Sequence, residues 1–240
     1  MPTDHQVPTR SQADRPGTVL VTGGSSGLGA AVVSAVAAAG GVPVVLDLHP
    51  PRAEVDHEIV DLADARGAED AVGRVVTRHP DLAAVVTAAG IDACGRLEDV
   101  PGPSWDRVIA VNLGGTAAVI RAALPRLRQR QGRIVTVAST LGLRALSDAT
   151  AYCASKFGVV GFTRALAVEL AGQVGVTMLI PGGMRTAFFD GRPDQYKPGP
   201  DADLADPAAI AAAVLFALGQ PVGCEIRELV VTPPTEPSWP

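Results

Sequence analysis

One pair of residues in the sequence has the types and the spacing that proton transfer requires. Tyr152 and Lys156 are four positions apart in Tyr-Cys-Ala-Ser-Lys, so a helix here places both side chains on one face. A lysine ammonium beside a phenol favours the phenolate and lowers the phenol pKa, which makes the tyrosine a general acid or base. The chain holds only two tyrosines and two lysines, so chance rarely produces this spacing. An ordinary helix with two surface residues is the alternative.

A glycine-rich segment near the beginning predicts a phosphate-binding loop. Residues 22–29 read Thr-Gly-Gly-Ser-Ser-Gly-Leu-Gly, directly after an apolar run and before an alanine-rich helical stretch. Glycines permit a tight turn here and let backbone amides approach a pyrophosphate at a helix N-terminus. Asp47 lies 18 residues beyond Gly29, at the end of the second apolar run, where a carboxylate can accept hydrogen bonds from a ribose diol. A solvated aspartate at a strand end is the alternative for Asp47.

Two further polar residues lie at positions that could serve a site. Ser139 ends the run Val-Thr-Val-Ala-Ser, and the carboxyl ends of parallel strands form the ligand-binding edge of such a sheet. Asn112 is a polar residue on an otherwise apolar face of a long predicted helix. Taken alone, an asparagine there is more often a hydrogen-bonded core residue than a catalytic one.

Short apolar runs alternate with longer helical stretches from residue 18 onward, and these elements must position the polar residues. Near-continuous apolar strands separated by helices indicate a parallel sheet that is covered on both faces. The predicted fold class is therefore α/β, a single doubly wound Rossmann-type parallel sheet of about seven strands with helices on both faces. The predicted strands are residues 18–21, 42–46, 57–60, 83–86, 133–138, 175–180 and 225–231, and the predicted helices are residues 27–39, 68–78, 104–130, 151–170 and 207–218.

One domain accounts for almost all of the chain. Residues 1–16 contain prolines and no periodicity, which predicts a flexible N-terminal tail before a single domain over residues 17–240. The connection between the second and third predicted strands is too short for a full crossover helix. Residues 185–206 are rich in proline, glycine and aspartate without a strong period, so we expect them to form a lid over the substrate site.

Composition and charge argue against several classes of protein. The 240 residues are 47% hydrophobic and 19% charged, which suits a large core and argues against disorder. The net charge of −5 and the scattered basic residues predict no nucleic-acid partner and no membrane surface, and the arginine-rich residues 121–133 fit a solvated helix end. Cys94, Cys153 and Cys224 form no motif, so we expect a reducing, cytoplasmic location and no metal. The first 17 residues lack the apolar centre of a signal peptide.

Taken together, these motifs resemble the compact short-chain dehydrogenase/reductase (SDR) family. The resemblance covers about residues 17–232 and rests on the Thr-Gly-x-x-x-Gly-x-Gly loop with Asn112, Ser139, Tyr152 and Lys156, which correspond to the family's catalytic tetrad. It implies an acidic-plus-apolar pair after the third strand at the adenine, and a Pro-Gly motif with a threonine at the nicotinamide amide. The coenzyme-binding residues that it implies are Gly23, Ser25, Ser26, Gly27, Leu28, Gly29, Asp47, Asp61, Leu62, Ala89, Gly90, Asn112, Tyr152, Lys156, Pro181, Gly182 and Thr186.

One position departs from the family pattern. Thr-Ala-Ala-Gly at residues 87–90 occupies the place of the family's Asn-Ala-Ala-Gly, so Thr87 stands where the family has asparagine. That asparagine mainly steadies the sheet in the family. We therefore expect Thr87 to affect local packing more than chemistry.

The resemblance implies an NAD(P)-dependent oxidoreductase that interconverts a secondary alcohol and a ketone by hydride transfer. Tyr152 would exchange the proton with the substrate oxygen, Lys156 would lower the tyrosine pKa and bind ribose, Ser139 would orient the substrate oxygen, and Asn112 would hold a water-linked proton path. Asp47 predicts NAD as the cofactor rather than NADP, because its carboxylate repels a 2′-phosphate. Asp61 is expected to add negative charge on the adenine side.

Other functions stay open, as do the substrate and the assembly. The alternatives are an NADPH-dependent 3-oxoacyl-thioester reductase and, in a different class, a non-catalytic nucleotide-binding regulatory protein. Leu141, Leu143, Phe188 and Phe189 predict an apolar pocket for a small hydroxyl or carbonyl substrate, although all four also fit a core. Family members usually pair the two long helices across two-fold axes, so we expect a homotetramer or homodimer with residues 230–240 near a subunit contact.

Overall fold

Seven strands form one parallel sheet in the computed structural model, which describes residues 15–239. The strand order is β3-β2-β1-β4-β5-β6-β7. The strands are β1 (Thr18–Thr22), β2 (Val42–Asp47), β3 (Asp56–Ile59), β4 (Leu82–Thr87), β5 (Arg133–Val137), β6 (Gly175–Pro181) and β7 (Glu228–Val231). The helices are α1 (Gly27–Ala38), α2 (Ala65–Arg78), α3 (Gly102–Ile109), α4 (Thr116–Arg130), α5 (Thr150–Glu169) and α6 (Pro207–Leu218). The predicted fold class is confirmed.

Helices cover both faces of the sheet, which is why its central strands are apolar without alternation. In β1, Val19 and Val21 pack with α1 and α6, whereas Leu20 points to the other face and packs with α2 and α4. All three side chains are fully buried. The same division continues along β4 and β5, so the core consists of two apolar layers with the sheet between them.

The sheet order changes direction at β1, and this point determines where a ligand can bind. β1 pairs with β2 on one side and with β4 on the other, so the chain moves outward along the sheet in opposite directions from there. The loops leaving β1 and β4 therefore diverge and open a crevice at the carboxyl edge. The Thr22 hydroxyl accepts a hydrogen bond from the Ala89 N–H at 3.1 Å and ties the two strand ends together at its base.

Several element boundaries differ from the sequence-based prediction for local reasons. Helix α2 begins at Ala65 because the Asp64 carboxylate caps it, accepting hydrogen bonds from the N–H groups of Arg66 and Gly67 at 3.1 and 3.0 Å. Strand β7 begins at Glu228, where its pairing with β6 starts. Residues 48–55 connect β2 to β3 without a helix, as expected. The predicted tail over residues 1–16 lies outside the described residues except for its last two.

The long helix before β5 is continuous but not regular. A π-helical segment, Ala110–Gly115, joins α3 to α4, so one helix runs over Gly102–Arg130. By length and composition this helix could cross a membrane, but half of its most apolar 18-residue stretch is buried inside the domain. Val119, Ile120 and Leu127 pack in the layer that α2 shares with the sheet. The core therefore accounts for its apolar character.

Candidate active site

A cleft of about 900 Å³ opens at the carboxyl edge of the sheet. The loops that follow β1, β2, β4, β5 and β6 line it, as expected for the ligand-binding edge of a doubly wound fold. The predicted site residues that line it are Gly23, Ser26, Gly27, Leu28, Gly29, Asp47, Asp61, Leu62, Ala89, Gly90, Ser139, Tyr152, Lys156, Pro181, Gly182 and Thr186. Ser25 and Asn112 do not line it.

The loop after β1 packs so closely at two of its glycines that a side chain does not fit there. Gly23 has a φ of +68°, and a Cβ there would lie 2.8 Å from the Ala89 Cα. A Cβ on Gly29 would lie 2.1 Å from the Gly23 carbonyl oxygen. Helix α1 begins at Gly27, and the N–H groups of a first helical turn have no partner within the helix. The bare backbone and the helix N-terminus therefore fit a coenzyme pyrophosphate.

Asp47 is fixed at the end of β2 beside this loop. Its Oδ2 accepts a hydrogen bond from the Ser25 N–H at 3.0 Å, and its Oδ1 accepts one from the His49 N–H at 3.2 Å. The Ser25 hydroxyl donates to the His49 carbonyl oxygen at 2.6 Å, so Ser25 braces the loop from outside the cleft. Each carboxylate oxygen has a further lone pair, so Asp47 can still accept the two hydroxyls of a ribose.

Asp61, farther along the same wall, has a cationic partner that the sequence analysis missed. Arg107 of α3 donates from Nη1 to the Asp61 Oδ2 at 2.9 Å, and both residues line the cleft. A hydrogen bond from the Ala63 N–H, followed by the Arg107 guanidinium, holds the pKa of Asp61 below its usual value. Asp61 thus lines the cleft as one half of an ion pair with Arg107, which offsets its charge, and its place beside the adenine stays a prediction.

Tyr152 and Ser139 meet in the cleft. Ser139 follows β5 and caps a short 3-10 turn, where its Oγ accepts a hydrogen bond from the Leu141 N–H at 3.1 Å. The same hydroxyl hydrogen-bonds to the Tyr152 phenol. Burial raises the pKa of Tyr152 to about 12, although the hydrogen bond from Ser139 acts to lower it. The phenol therefore carries its proton at pH 7.

Lys156 lies one helical turn beyond Tyr152 on α5, as the spacing predicts. Its Nζ is 5.6 Å from the centre of the tyrosine ring and donates to the Val137 carbonyl oxygen at 2.9 Å. The side chain is buried, and burial lowers the pKa of its ammonium to about 8. The expected net lowering of the Tyr152 pKa does not occur in this structure, because burial opposes the charged form of both groups.

Asn112 supports the site from behind. It lies in the π-helical segment, and its buried side chain bridges two elements. Its Nδ2 donates to the Ile91 carbonyl oxygen at 2.9 Å and to the Ser155 hydroxyl at 3.0 Å, and its Oδ1 accepts from the Ile91 N–H at 2.9 Å. The Ser155 hydroxyl in turn donates to the Tyr152 carbonyl oxygen at 2.8 Å. Asn112 therefore joins the loop after β4 to the helix that carries Tyr152.

A family model described as short chain dehydrogenase matches residues 17–197. The chain belongs to this family. This membership, together with the arrangement of Tyr152, Ser139 and Lys156, makes it an NAD(P)-dependent oxidoreductase that acts on secondary alcohols and ketones.

Known relatives of this dehydrogenase resemble it over most of their length. The D-beta-hydroxybutyrate dehydrogenase of Cupriavidus necator is 37% identical over 184 residues, which are 70% of this chain and 71% of the relative. The D-threitol dehydrogenase of Mycolicibacterium smegmatis is 35% identical over 217 residues, 82% of this chain and 84% of the relative. The solved structure of an aldohexose dehydrogenase from Thermoplasma acidophilum is similar with a TM-score of 0.80 at 24% identity, covering 91% of this chain and 93% of that one, which supports the fold.

The C-terminal segment of this dehydrogenase holds the turn after β6, a contact that the sequence analysis missed. The Glu236 Oε2 accepts a hydrogen bond from the Gly183 N–H at 2.7 Å, and residues 235–238 line the cleft. The hydroxyls of Ser238 and Thr140 hydrogen-bond at 2.7 Å and tie the segment to the loop after β5. The tail thus packs on the cleft of its own chain, and its place near a subunit contact stays a prediction.

Thr87, the residue that departs from the family pattern, lies close to these loops. Thr87 is buried at the end of β4, and its hydroxyl has no hydrogen-bond partner among residues 15–239. The departure from asparagine therefore leaves one buried polar group unpaired at this strand end.

Leu141, Phe188 and Phe189 line the cleft, whereas Leu143 packs in a small core cluster. Within the described residues, no group of three or more His, Cys, Asp or Glu side chains is placed to hold a metal ion.

Proposed function

We propose that this dehydrogenase prefers NAD(H) and that Tyr152 exchanges the proton with the substrate oxygen. The observation that carries the proposal is the hydrogen-bonded pair of hydroxyls on Tyr152 and Ser139, which lies in the same cleft as the glycine loop and Asp47. Two hydroxyls in contact can both reach one carbonyl or alcohol oxygen. That arrangement suits proton transfer coupled to hydride transfer.

The chain's own residues orient the reactants and handle the proton. When bound, the nicotinamide coenzyme supplies or accepts the hydride. Ser139 holds the substrate oxygen against the Tyr152 phenol, and Lys156 provides an ammonium one turn below. Because the phenol is protonated at pH 7, Tyr152 is ready to donate to a carbonyl oxygen, and alcohol oxidation requires this proton to leave first.

A coenzyme and substrate assay tests this function. We would incubate the full chain with NAD(H) or NADP(H) and a panel of secondary alcohols, ketones and a 3-oxoacyl thioester, following the absorbance of the reduced nicotinamide. Turnover of an alcohol or ketone with NAD(H) is expected. Turnover of the thioester alone with NADPH supports the reductase alternative, and coenzyme binding without any turnover supports a regulatory protein.

The lid over residues 185–206 belongs to the same proposal. A parallel bridge between Met184 and Ala205 joins the two ends of the segment, and the Arg185 N–H donates to the Ala205 carbonyl oxygen at 2.9 Å. Phe188 and Tyr196, within the loop, line the cleft while remaining partly exposed. Such a loop can close over a substrate by burying these rings.

We expect the lid to gain protection from hydrogen exchange when ligands bind. Its amides should exchange fast in the free protein and more slowly with coenzyme plus substrate, because closure buries apolar rings and excludes water. Mass spectrometry of peptides from residues 185–206 measures the change, and peptides from α2, which does not line the cleft, provide the unchanged control. Equal protection of the lid in both states would rule out closure.

We further propose a cytoplasmic homotetramer, or failing that a homodimer. Phe157 and Val168 on α5 are 44% and 79% exposed, which suits a helix face that a second copy covers. The free cysteines of the described chain fit a reducing compartment. Light scattering at micromolar concentration should report an assembly of two or four chains, and a uniform monomer would contradict the proposal.

A further inference from the structure

A buried ion pair lies in the substrate part of the cleft. The Arg192 Nη2, in the lid, donates to the Asp92 Oδ2, in the loop after β4, at 2.7 Å. The side chains are only 18% and 6% exposed, and both residues line the cleft with Tyr152. Both charges also influence the pKa of the Tyr152 phenol, Asp92 upward and Arg192 downward. The pair therefore lies beside the group that is proposed to contact the substrate.

The Arg192 guanidinium is held firmly in this place. Its central carbon lies 4.9 Å from the ring centre of Phe188 and 4.6 Å from that of Phe189. Its Nη1 donates to the Tyr196 carbonyl oxygen at 3.3 Å. Its buried Nε has no hydrogen-bond partner among residues 15–239. Two rings and a carboxylate thus fix a cation that still has an unused donor.

The Asp92 carboxylate is fixed as well. Its Oδ1 accepts a hydrogen bond from the Ala93 N–H at 2.7 Å, and its Oδ2 accepts one from the Cys94 thiol at 3.1 Å. Burial, followed by the Asp92 carboxylate, raises the pKa of the Cys94 thiol to about 12, so the thiol stays a donor. The Asp92 carboxylate is therefore held by two local donors while it pairs with the Arg192 guanidinium.

The two lysines that line the cleft have other partners or roles among residues 15–239. The Lys156 ammonium donates to the Val137 carbonyl oxygen and is expected to bind the coenzyme ribose, and the Lys197 Nζ pairs with the Asp194 carboxylate at 2.8 Å. The acidic residues lining the same cleft beside the lid and the C-terminal segment are Asp148, Asp201, Asp203 and Glu236. A substrate carboxylate placed here meets negative charge and loses hydration without gaining a cationic partner.

We propose that the Asp92–Arg192 pair makes this site selective for substrates that are uncharged around the reacting carbon, so that neutral alcohols and ketones react and hydroxy acids are rejected. The inference rests on the proposed function, since it concerns the substrate of the same site. Asp92 is the specificity-determining residue, because its carboxylate compensates the positive charge of Arg192 that would otherwise attract a substrate carboxylate.

The test compares two substrates that differ in charge and hardly in shape, 3-hydroxybutyramide and the 3-hydroxybutyrate anion. We expect the unmodified protein to favour the amide in kcat/KM by at least about tenfold, because the acid buries an unpaired charge. Asp92→Asn keeps the size of the side chain but frees the Arg192 cation. It should shift the amide-to-acid ratio toward the acid by about tenfold or more. Because both substrates are measured on one protein, a general loss of stability cancels from the ratio.

Two control variants separate the pair from the general charge of the cleft. Asp148→Asn removes an acidic charge from the same cleft without unpairing Arg192, and it should leave the ratio within about threefold. Adding Arg192→Gln to Asp92→Asn removes the freed cation and should abolish the gain for the acid. An unmodified protein that uses acid and amide equally well, or an Asp92→Asn protein with an unchanged ratio, would overturn the proposal.

A binding measurement tests the charge selection even without turnover. Calorimetric titration of the protein and NADH with acetoacetamide and acetoacetate reports the same charge preference. If neither alcohol is oxidised but Asp92→Asn still improves acetoacetate binding relative to acetoacetamide, the proposed reaction fails and the charge selection stands. If the relative binding does not change, the charge selection fails whatever the turnover.

Discussion

Replacing Tyr152 with phenylalanine should lower kcat by at least about 10²- to 10⁴-fold, the range typical of a general acid or base. The substitution removes the phenol hydroxyl that meets Ser139 and leaves the ring, which packs 5.6 Å from that of Phe188. Coenzyme affinity should change little, since no part of the glycine loop is altered. Steady-state kinetics on a confirmed substrate and NADH fluorescence titration measure the two quantities.

The chain offers a matched control for this variant. Tyr196 is its other tyrosine and also lines the cleft, but within residues 15–239 it makes its hydrogen bonds through its backbone N–H and carbonyl groups. Tyr196→Phe should therefore retain turnover within about threefold, as expected for a residue outside the proton transfer. Near wild-type turnover by Tyr152→Phe would refute the assignment of the proton donor.

Coenzyme choice should follow Asp47, with NADH preferred over NADPH by about ten- to a hundredfold in kcat/KM. The Asp47 carboxylate can accept both ribose hydroxyls, whereas a 2′-phosphate faces like charge. The neighbouring Leu48 lines the cleft and is 46% exposed, so the position directly after Asp47 carries no basic side chain to relieve the repulsion. Asp47→Ala should shrink the preference, and Asp47→Ser combined with Leu48→Arg should reverse it.

The coenzyme preference is measured as the ratio of the kcat/KM values for NADH and NADPH on the same variant. A ratio is needed because Asp47 also accepts hydrogen bonds from the N–H groups of Ser25 and His49. Its replacement will loosen the loop for both coenzymes. Arg52→Ala is the control: Arg52 is exposed, does not line the cleft, and should leave the ratio unchanged. Equal use of NADPH and NADH by the unmodified protein would contradict the role given to Asp47.

The sequence by itself determined the features that are encoded locally. The parallel sheet could be predicted because strands buried on both faces are apolar without alternation, and helices between them differ in period. The glycine loop was recognisable because close packing at Gly23 and Gly29 tolerates no side chain at these two positions. Tyr152 and Lys156 were recognisable because one helical turn fixes their relation. The strand pattern and the tyrosine–lysine spacing each repeat along one element, and the contact between Gly29 and the Gly23 carbonyl lies within a few residues.

Only the tertiary structure decided which distant residues share the cleft. Arg192 and Asp92 are 100 positions apart, and Glu236 reaches Gly183 across 53 positions. Neither pair leaves a periodic signal, because each contact depends on which loops the strand order brings to one edge. The direction of the Tyr152 pKa was decided in the same way. The lysine spacing favoured a lowered pKa. Burial raises the pKa instead, because the loss of hydration destabilises the phenolate more than the hydrogen bond from Ser139 stabilises it.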